Sequence, residues 1–247
     1  MTEVGRVAAL WRYPVKSLLG ERLDEASLGS NGLEGDRGYA IRDALSGHVL
    51  SAKKFSMLLR ARAETRDGGV VFTLPDGERF DVGSDSAGAA LSAWLGREVE
   101  IARRSGTPQR PVMEGDTGTF RGRAGSFFDS SPVHVVTTST LAALTERHPE
   151  GVFDPRRFRP NILLETSGAG YVEETWIGKT LAVGSTEIEV TKACSRCVMT
   201  THAQQELPVD RDILRTVITH NDEHVGVYGF ARTPGVVHLG DAATVAG

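Results

Sequence analysis

TLAVGSTEIEVTKACSRCVMTTHA, residues 180–203, decides how the chain is read. TLAVGSTEIEVTK (180–192) reads as two β-strands, with Gly184-Ser185 turning one into the next. The second strand runs into ACSRC, which holds Cys194 and Cys197, the 2 cysteines of the chain. The following VMTTHA is β-branched and has no helical pattern. The starting expectation is a β-rich fold that delivers two thiols, three positions apart, from the end of a strand.

Short β-type runs between glycine-bearing turns recur on both sides of this stretch. VGRVAALWRY (4–13) and GYAIRD (38–43) read as strands. GVVFTL (69–74), PDG and ERFDV (78–82) read as a hairpin turned at Asp76-Gly77. VHVVTT (133–138), NILLE (161–165), HVGVYGF (224–230) and VVHLGD (236–241) continue the pattern. Helical spacing is confined to SAGAALSAWLG (86–96), STLAALTERHPE (139–150) and DRDILRTVITH (210–220), the last with Asp210 as its expected cap. The fold class is therefore mostly β or α+β, with barrel-like architecture and a few helices. Residues 103–127 are polar and rich in Gly, Arg and Thr, and read as a linker or a long functional loop.

With 28 Lys+Arg against 32 Asp+Glu, the chain carries a formal charge of −4, which argues against a nucleic-acid binder. No run of apolar residues is long enough to span a bilayer and no signal-peptide pattern opens the chain, so no membrane role and a cytoplasmic location are expected. Two cysteines are too few for a disulfide scaffold.

Four chemistries remain open for the cysteine pair. Structural zinc needs four Cys/His ligands and finds one pair, with His202 further on. A thioredoxin-like pair needs a helix directly after the motif. Both thiols can be small core residues. Alternatively Lys192 and Arg196, flanking the pair, stabilise a thiolate, which is the form a soft metal binds.

Four further stretches carry polar groups at strand entrances. YPVKSLLG (13–20) places Lys16 and Ser17 after a proline, either as an exposed turn or as a phosphate contact. GLEGDRGYA (32–40) sets Asp36 and Arg37 in a tight turn, as a bracing pair or with Arg37 aimed at an anion. RRFRPNILLE (156–165) places Arg159 before Pro160, which predicts extended backbone there; Arg156 and Arg157 read as solvated, and Asn161 offers a donor and an acceptor. FFDSSPVHVV (127–136) offers Asp129, Ser130 and Ser131 in a turn before a strand.

Taken together and in this order, YPVKS, GLEGDR, RFRPN and ACSRC resemble the MOSC-domain proteins that carry a MOSC N-terminal β-barrel domain, the amidoxime reducing component and YcbX-like family. The resemblance covers nearly the whole chain. It implies a β-barrel-like domain over residues 1–110, a MOSC mixed β-barrel over 111–247, and a cofactor site between them. The implied cofactor is the molybdenum cofactor, a pterin dithiolene bearing a phosphate, with one protein cysteine on the metal. Residue by residue, the resemblance assigns the metal to Cys197. It assigns cofactor contacts to Lys16, Ser17, Arg37, Asp129, Ser130, Ser131, Arg159, Asn161, Ser195, Arg196 and Tyr228. Asp129 is set toward the open side of the metal, and Cys194 becomes a bystander.

Beyond the cysteines the chain departs from the family pattern, with HAQQELPVDRDILRTV in place of a VDP-x-TG-like stretch. The substrate is therefore the least determined part of the resemblance. The implied activity is reduction of small N-hydroxylated substrates such as amidoximes, hydroxylamines or N-oxides. Asp129 or His202 would assist proton transfer. Electrons would come from a separate ferredoxin-, flavoprotein- or cytochrome b5-like donor, because no ferredoxin-like segment is present. The alternatives are a cofactor carrier, a Cys197 persulfide sulfur-transfer protein, or a plain β-barrel binding module.

Overall fold

The computed structural model describes residues 1–104 and 127–246. Most of the polar segment read as a linker, from 105 to 126, lies outside the described residues. The chain divides into two compact units, one of Met1–Trp11, Arg22–Glu34 and Ser131–Gly247, the other of Arg12–Glu21 and Gly35–Ser130. No single cut in the sequence separates them.

The first unit is built on a closed barrel. Thr2–Arg12, Ala242–Val245, Thr180–Val183, Thr186–Ser195, His224–Thr233, Val133–Thr137 and Ile162–Glu165 pair in that order, and Ile162–Glu165 returns to Thr2–Arg12. The Val133–Thr137 and Ile162–Glu165 pair is parallel and its barrel neighbours antiparallel, so the barrel is mixed. The sequence supplies the reason for closure. Val133 and Val135, Ile162 and Leu164, Leu181 and Val183, Ile188 and Val190, and Ala243 and Val245 fall at every second position and share one buried cluster. Period-two side chains point to one face of a strand, and a small barrel fills its interior with them. Each fully buried aliphatic side chain contributes about 1.5–3 kcal/mol. Three helices of this unit, Thr138–Arg147, Pro155–Phe158 and Asp212–Asn221, include two read from the sequence. Arg211, not Asp210, is the capping residue of the last, but the Asp210 carboxylate still accepts from the Asp212 amide at 2.9 Å.

Glu173, on the 3-10 turn Val172–Trp176, is a buried carboxylate set against the start of helix Thr138–Arg147. Its Oε2 accepts from the Thr137 and Thr140 hydroxyls at 2.6 and 2.7 Å, while Oε1 is buried with no partner among the described residues. Burial raises its pKa, and the two threonine bonds oppose this without cancelling it. A raised folded-state pKa stabilises at low pH and is lost as pH rises through the carboxylate range. Glu173→Gln keeps one acceptor and removes the buried charge. It is expected to be more stable than wild type by about 1 kcal/mol or more at about pH 8, with the gap narrowing toward about pH 5, in urea unfolding at both values.

The second unit holds smaller sheets. Tyr39–Asp43 pairs antiparallel with Val99–Arg103, and Arg62–Arg66, Gly69–Thr73 and Arg79–Asp81 form a meander. The expected hairpin turn is there, with Gly77 at φ 92. Bridges Val15↔Tyr39 and Leu19↔Arg62 tie the YPVKSLLG segment to both sheets. Helix Asp85–Leu95 ends at Gly96 in the left-handed region, the residue type that tolerates it without strain.

Candidate functional site

In the second unit, Lys16, Ser17, Arg37 and Asp129 are drawn into an ordered polar group. Lys16 is buried, and its Nζ donates to the Phe127 carbonyl at 3.0 Å and to Asp129 Oδ1 at 2.5 Å. Partial desolvation works against the Asp129 carboxylate, whose side chain is still 52% exposed, but Lys16, then Lys53 and Arg37, outweigh it and hold its pKa below the usual range. Asp129 therefore serves as a standing anion and does not store a proton at neutral pH. Ser17 sits at φ 68, and its hydroxyl accepts from the Ala52 amide at 3.1 Å, which fixes the neighbouring loop. Arg37 is also left-handed, at φ 48. It pairs with buried Asp36, whose Oδ1 accepts from the Tyr13 amide at 2.7 Å. The Arg37 guanidinium lies over the Tyr13 ring at 5.0 Å and the Phe128 ring at 5.5 Å. The bracing pair and the cation are thus one construction: Asp36 and two aromatic faces hold Arg37 in one orientation. Ser130 follows Asp129 at the edge of this unit, half-buried.

In the first unit the cysteine segment lies at the end of strand Thr186–Ser195. Cys194 is the last inward residue of the strand and is fully buried; Ser195 is exposed. Cys197, half-buried, starts a 3-10 turn over Val198–Thr201, where its carbonyl accepts from the Thr200 amide at 3.1 Å. Both thiols are free. Among the described residues the group with metal-ligand spacing is His148, Asp210 and Asp212, which contains neither cysteine, so the zinc reading gains no third ligand. The turn after Cys197 is a single 3-10 turn and gives no helix for a thioredoxin-like pair.

Arg196 Nη1 donates to Cys194 Sγ at 2.7 Å and Nη2 to the Phe158 carbonyl at 2.8 Å. Its Nε is buried without a partner among the described residues, a donor that an anion would satisfy. Lys192, the other flanking cation, is exposed and lies over the Tyr228 ring at 6.0 Å. His134 and Tyr228 face each other across neighbouring strands, with ring centroids 5.3 Å apart. The His134 ring reaches the Val225 carbonyl through Nε2 at 3.0 Å. Gly226, at φ 78, makes room for it, since a Cβ there would lie 2.7 Å from that nitrogen.

The RRFRPN stretch differs from its sequence reading in two respects. Arg159 is not extended: it is the left-handed C-cap of helix Pro155–Phe158, at φ 56 and ψ 50. Pro160 disfavours right-handed helix at the preceding residue, and a left-handed cap is another way to leave the helix. Arg159 is buried, as is Ser131. Arg157 is not solvated but fully buried, donating to the carbonyls of Val152, Thr200, His202 and Pro208 at 2.8–3.2 Å. Three of those carbonyls belong to the segment after Cys197. Sequence reasoning missed this clamp because a run of three arginines looks like a solvated face. The short helix, signalled by Asp154-Pro155 at its start, turns Arg157 inward. Asn161 is spent on the backbone, accepting from the His134 amide at 3.1 Å and donating to the Trp11 carbonyl at 3.4 Å.

Comparison with known proteins bears on this arrangement. A model of the MOSC N-terminal beta barrel domain matches residues 4–102, and a model of the MOSC domain matches residues 122–244. Mitochondrial amidoxime reducing component 2 of Macaca fascicularis is 24% identical over 249 residues, covering 85% of this chain and 70% of its own length. Human mitochondrial amidoxime-reducing component 1 is 26% identical over 234 residues, covering 81% and 67%. Among solved structures, the YUAD protein of Bacillus subtilis superposes with a TM-score of 0.53 at 11% identity, covering 98% of this chain and 94% of its own, a likeness of fold alone. With a mixed barrel in place and both domain models matched in succession, the chain belongs to the MOSC-domain proteins that carry a MOSC N-terminal β-barrel domain.

Proposed function

We propose that this protein binds the molybdenum cofactor and reduces small N-hydroxylated molecules with electrons from a separate donor protein. The observation that carries the reading is the cysteine segment: a free, half-buried thiol at Cys197 directly after a half-buried arginine whose buried Nε has no partner among the described residues. Zinc would ask for three further protein ligands; a metal already held by a dithiolene asks the protein for one thiolate. The names of the amidoxime-reducing relatives support the choice of substrate class.

In this reading Cys197 is the metal ligand. Lys16, Ser17 and Arg37 attend to the phosphate and pterin end, and Asp129, Ser130 and Ser131 are further contacts to the cofactor. Arg159, Asn161, Ser195, Arg196 and Tyr228 complete the contacts. Fixed cations suit a cofactor that is anionic, even in a chain of net charge −4. When bound, the cofactor would supply two-electron reduction of an N–O bond. The chain's part is to hold it and to keep proton carriers near: Asp129, ionised beside Lys16, accepts and passes a proton without storing one. His202 opens the segment that departs from the family pattern, where substrate selection is expected to lie.

The test is turnover. Protein made in a host that synthesises the cofactor is supplied with a chemically reduced viologen and an aryl amidoxime, and amidine is measured. Amidine formation by wild type, absent in Cys197→Ala, is the expected result. Bound molybdenum with no turnover of amidoximes, hydroxylamines or N-oxides would replace the enzyme reading with that of a carrier. A persulfide on Cys197 in protein free of molybdenum would point to sulfur transfer.

A further inference from the structure

Cys194 is a buried thiol that the proposed function leaves idle. Three elements converge on it. Arg196, two residues on, donates from Nη1 to Sγ at 2.7 Å. His134, from strand Val133–Thr137, and Tyr228, from strand His224–Thr233, are its other polar neighbours. The guanidinium is also held at the Phe158 carbonyl, 2.8 Å away, and lies over the Phe158 ring at 5.9 Å. The Arg196 backbone amide donates to the Glu223 carbonyl at 2.7 Å. The residue immediately before Cys197 is therefore fixed at both its main chain and its side chain.

Arg196 is half-buried, and a partly desolvated guanidinium is favoured by a nearby anion. Burial is the largest influence on Arg196 and opposes its charge; the favourable partners are Cys194 first, then Tyr228 and Cys197. For Cys194 the balance is the mirror image. Burial pushes the thiol up, and Arg196, with His134 and Tyr228 behind it, brings it down to about 6. The contact sets the guanidinium directly against Sγ, and a fixed positive charge there favours the thiolate over the thiol.

We propose that Cys194 is a thiolate anchor for Arg196, a positioning residue that fixes the turn from which Cys197 is presented. The proposal rests on the functional reading only in making Cys197 the thiol that matters; the anchor itself is a property of the metal-free chain. It gives the two-cysteine spacing a physical reason. One sulfur carries the chemistry, and the other, three residues earlier, supplies the negative charge that keeps the intervening arginine in place.

Two measurements on metal-free protein test it. In Cys197→Ala, Cys194 is the sole thiol, and its thiolate absorbance in the ultraviolet is expected to titrate near the value of about 6. A free cysteine titrates at about 8.5. Adding Arg196→Gln is expected to raise the midpoint by about two units or more. A midpoint at the ordinary thiol value with Arg196 intact would overturn the proposal. The second measurement is alkylation of Cys197 by iodoacetamide, followed by peptide mass, in variants with native circular dichroism. Cys194→Ala is expected to speed the reaction roughly tenfold. Cys194→Ser, close in size but neutral, should behave like Cys194→Ala, and Cys194→Asp, which restores the charge, should slow the reaction again. Equal rates in wild type and Cys194→Ala, or full restoration by serine and not by aspartate, would mean that Cys194 acts by volume alone. Neither measurement involves molybdenum, so failure to bind metal would leave both interpretable.

Discussion

Arg157→Met is expected to destabilise the protein by about 3–5 kcal/mol. The side chain is fully buried, and its Nε, Nη1 and Nη2 donate to four main-chain carbonyls. Methionine fills much of the volume but donates nothing, so those acceptors lose their partner inside the protein. Bonds from a charged donor are individually worth about 1.5–3 kcal/mol, and the loss is shared because the chain relaxes. Burial lowers the Arg157 pKa, opposed by Asp210 and Asp154, so the charge is held by carbonyl dipoles and two more distant carboxylates. Arg157→Lys carries the charge with a smaller donor set and should fall between the two. Urea unfolding gives the global number. Amide exchange should show the loss concentrated at residues 200–208, where three of the four carbonyls lie. A cost below about 1 kcal/mol would mean that the clamp does not hold this segment.

Much of the fold was legible because barrel strands advertise themselves. Val133–Thr137, Ile162–Glu165 and Thr180–Val183 lie within a residue or two of their sequence reading, since their apolar residues recur at every second position between glycine turns, and Thr186–Ser195 runs three residues past the expected end at Lys192. Glu21–Leu23, Gly32–Leu33 and Ala242–Val245 were not read. Strands of two to four residues carry too few side chains to show a period, and long-range pairing defines them. The grouping of Thr2–Arg12 with the C-terminal half was also invisible, because register with Ile162–Glu165 and Ala242–Val245 leaves no local mark.

The candidate site was legible as residue types and not as conformations. Arg37 beside Asp36 follows from the turn that holds both, whereas the pairing of Lys16 with Asp129, 113 positions away, does not. The left-handed conformations of Ser17, Arg37 and Arg159 do not, because non-glycine residues adopt that region only when tertiary contacts impose it. The two cysteines show the same gap. Flanking cations signal a thiolate somewhere in ACSRC, but only the fold turns half-buried Arg196 onto Cys194.

Cys197→Ala is expected to abolish cofactor retention and turnover together while leaving the fold intact. The side chain is half-buried, and within its turn the hydrogen bonds run through the main chain: the carbonyl accepts from the Thr200 amide and hydroxyl at 3.1 and 3.0 Å. Alanine keeps both, so stability should change by less than about 1 kcal/mol. The metal, by contrast, loses the protein ligand proposed for it, and the cations that remain hold only the organic part of the cofactor. An effect confined to turnover, with metal retained, would assign Cys197 a role in the reaction other than ligation.

The most direct measurement is molybdenum per chain by elemental mass spectrometry, on wild type and Cys197→Ala purified side by side from a cofactor-replete host. The account predicts close to one molybdenum per wild-type chain and essentially none in the variant. Wild type without molybdenum, or a variant that retains it, would contradict the assignment of this site.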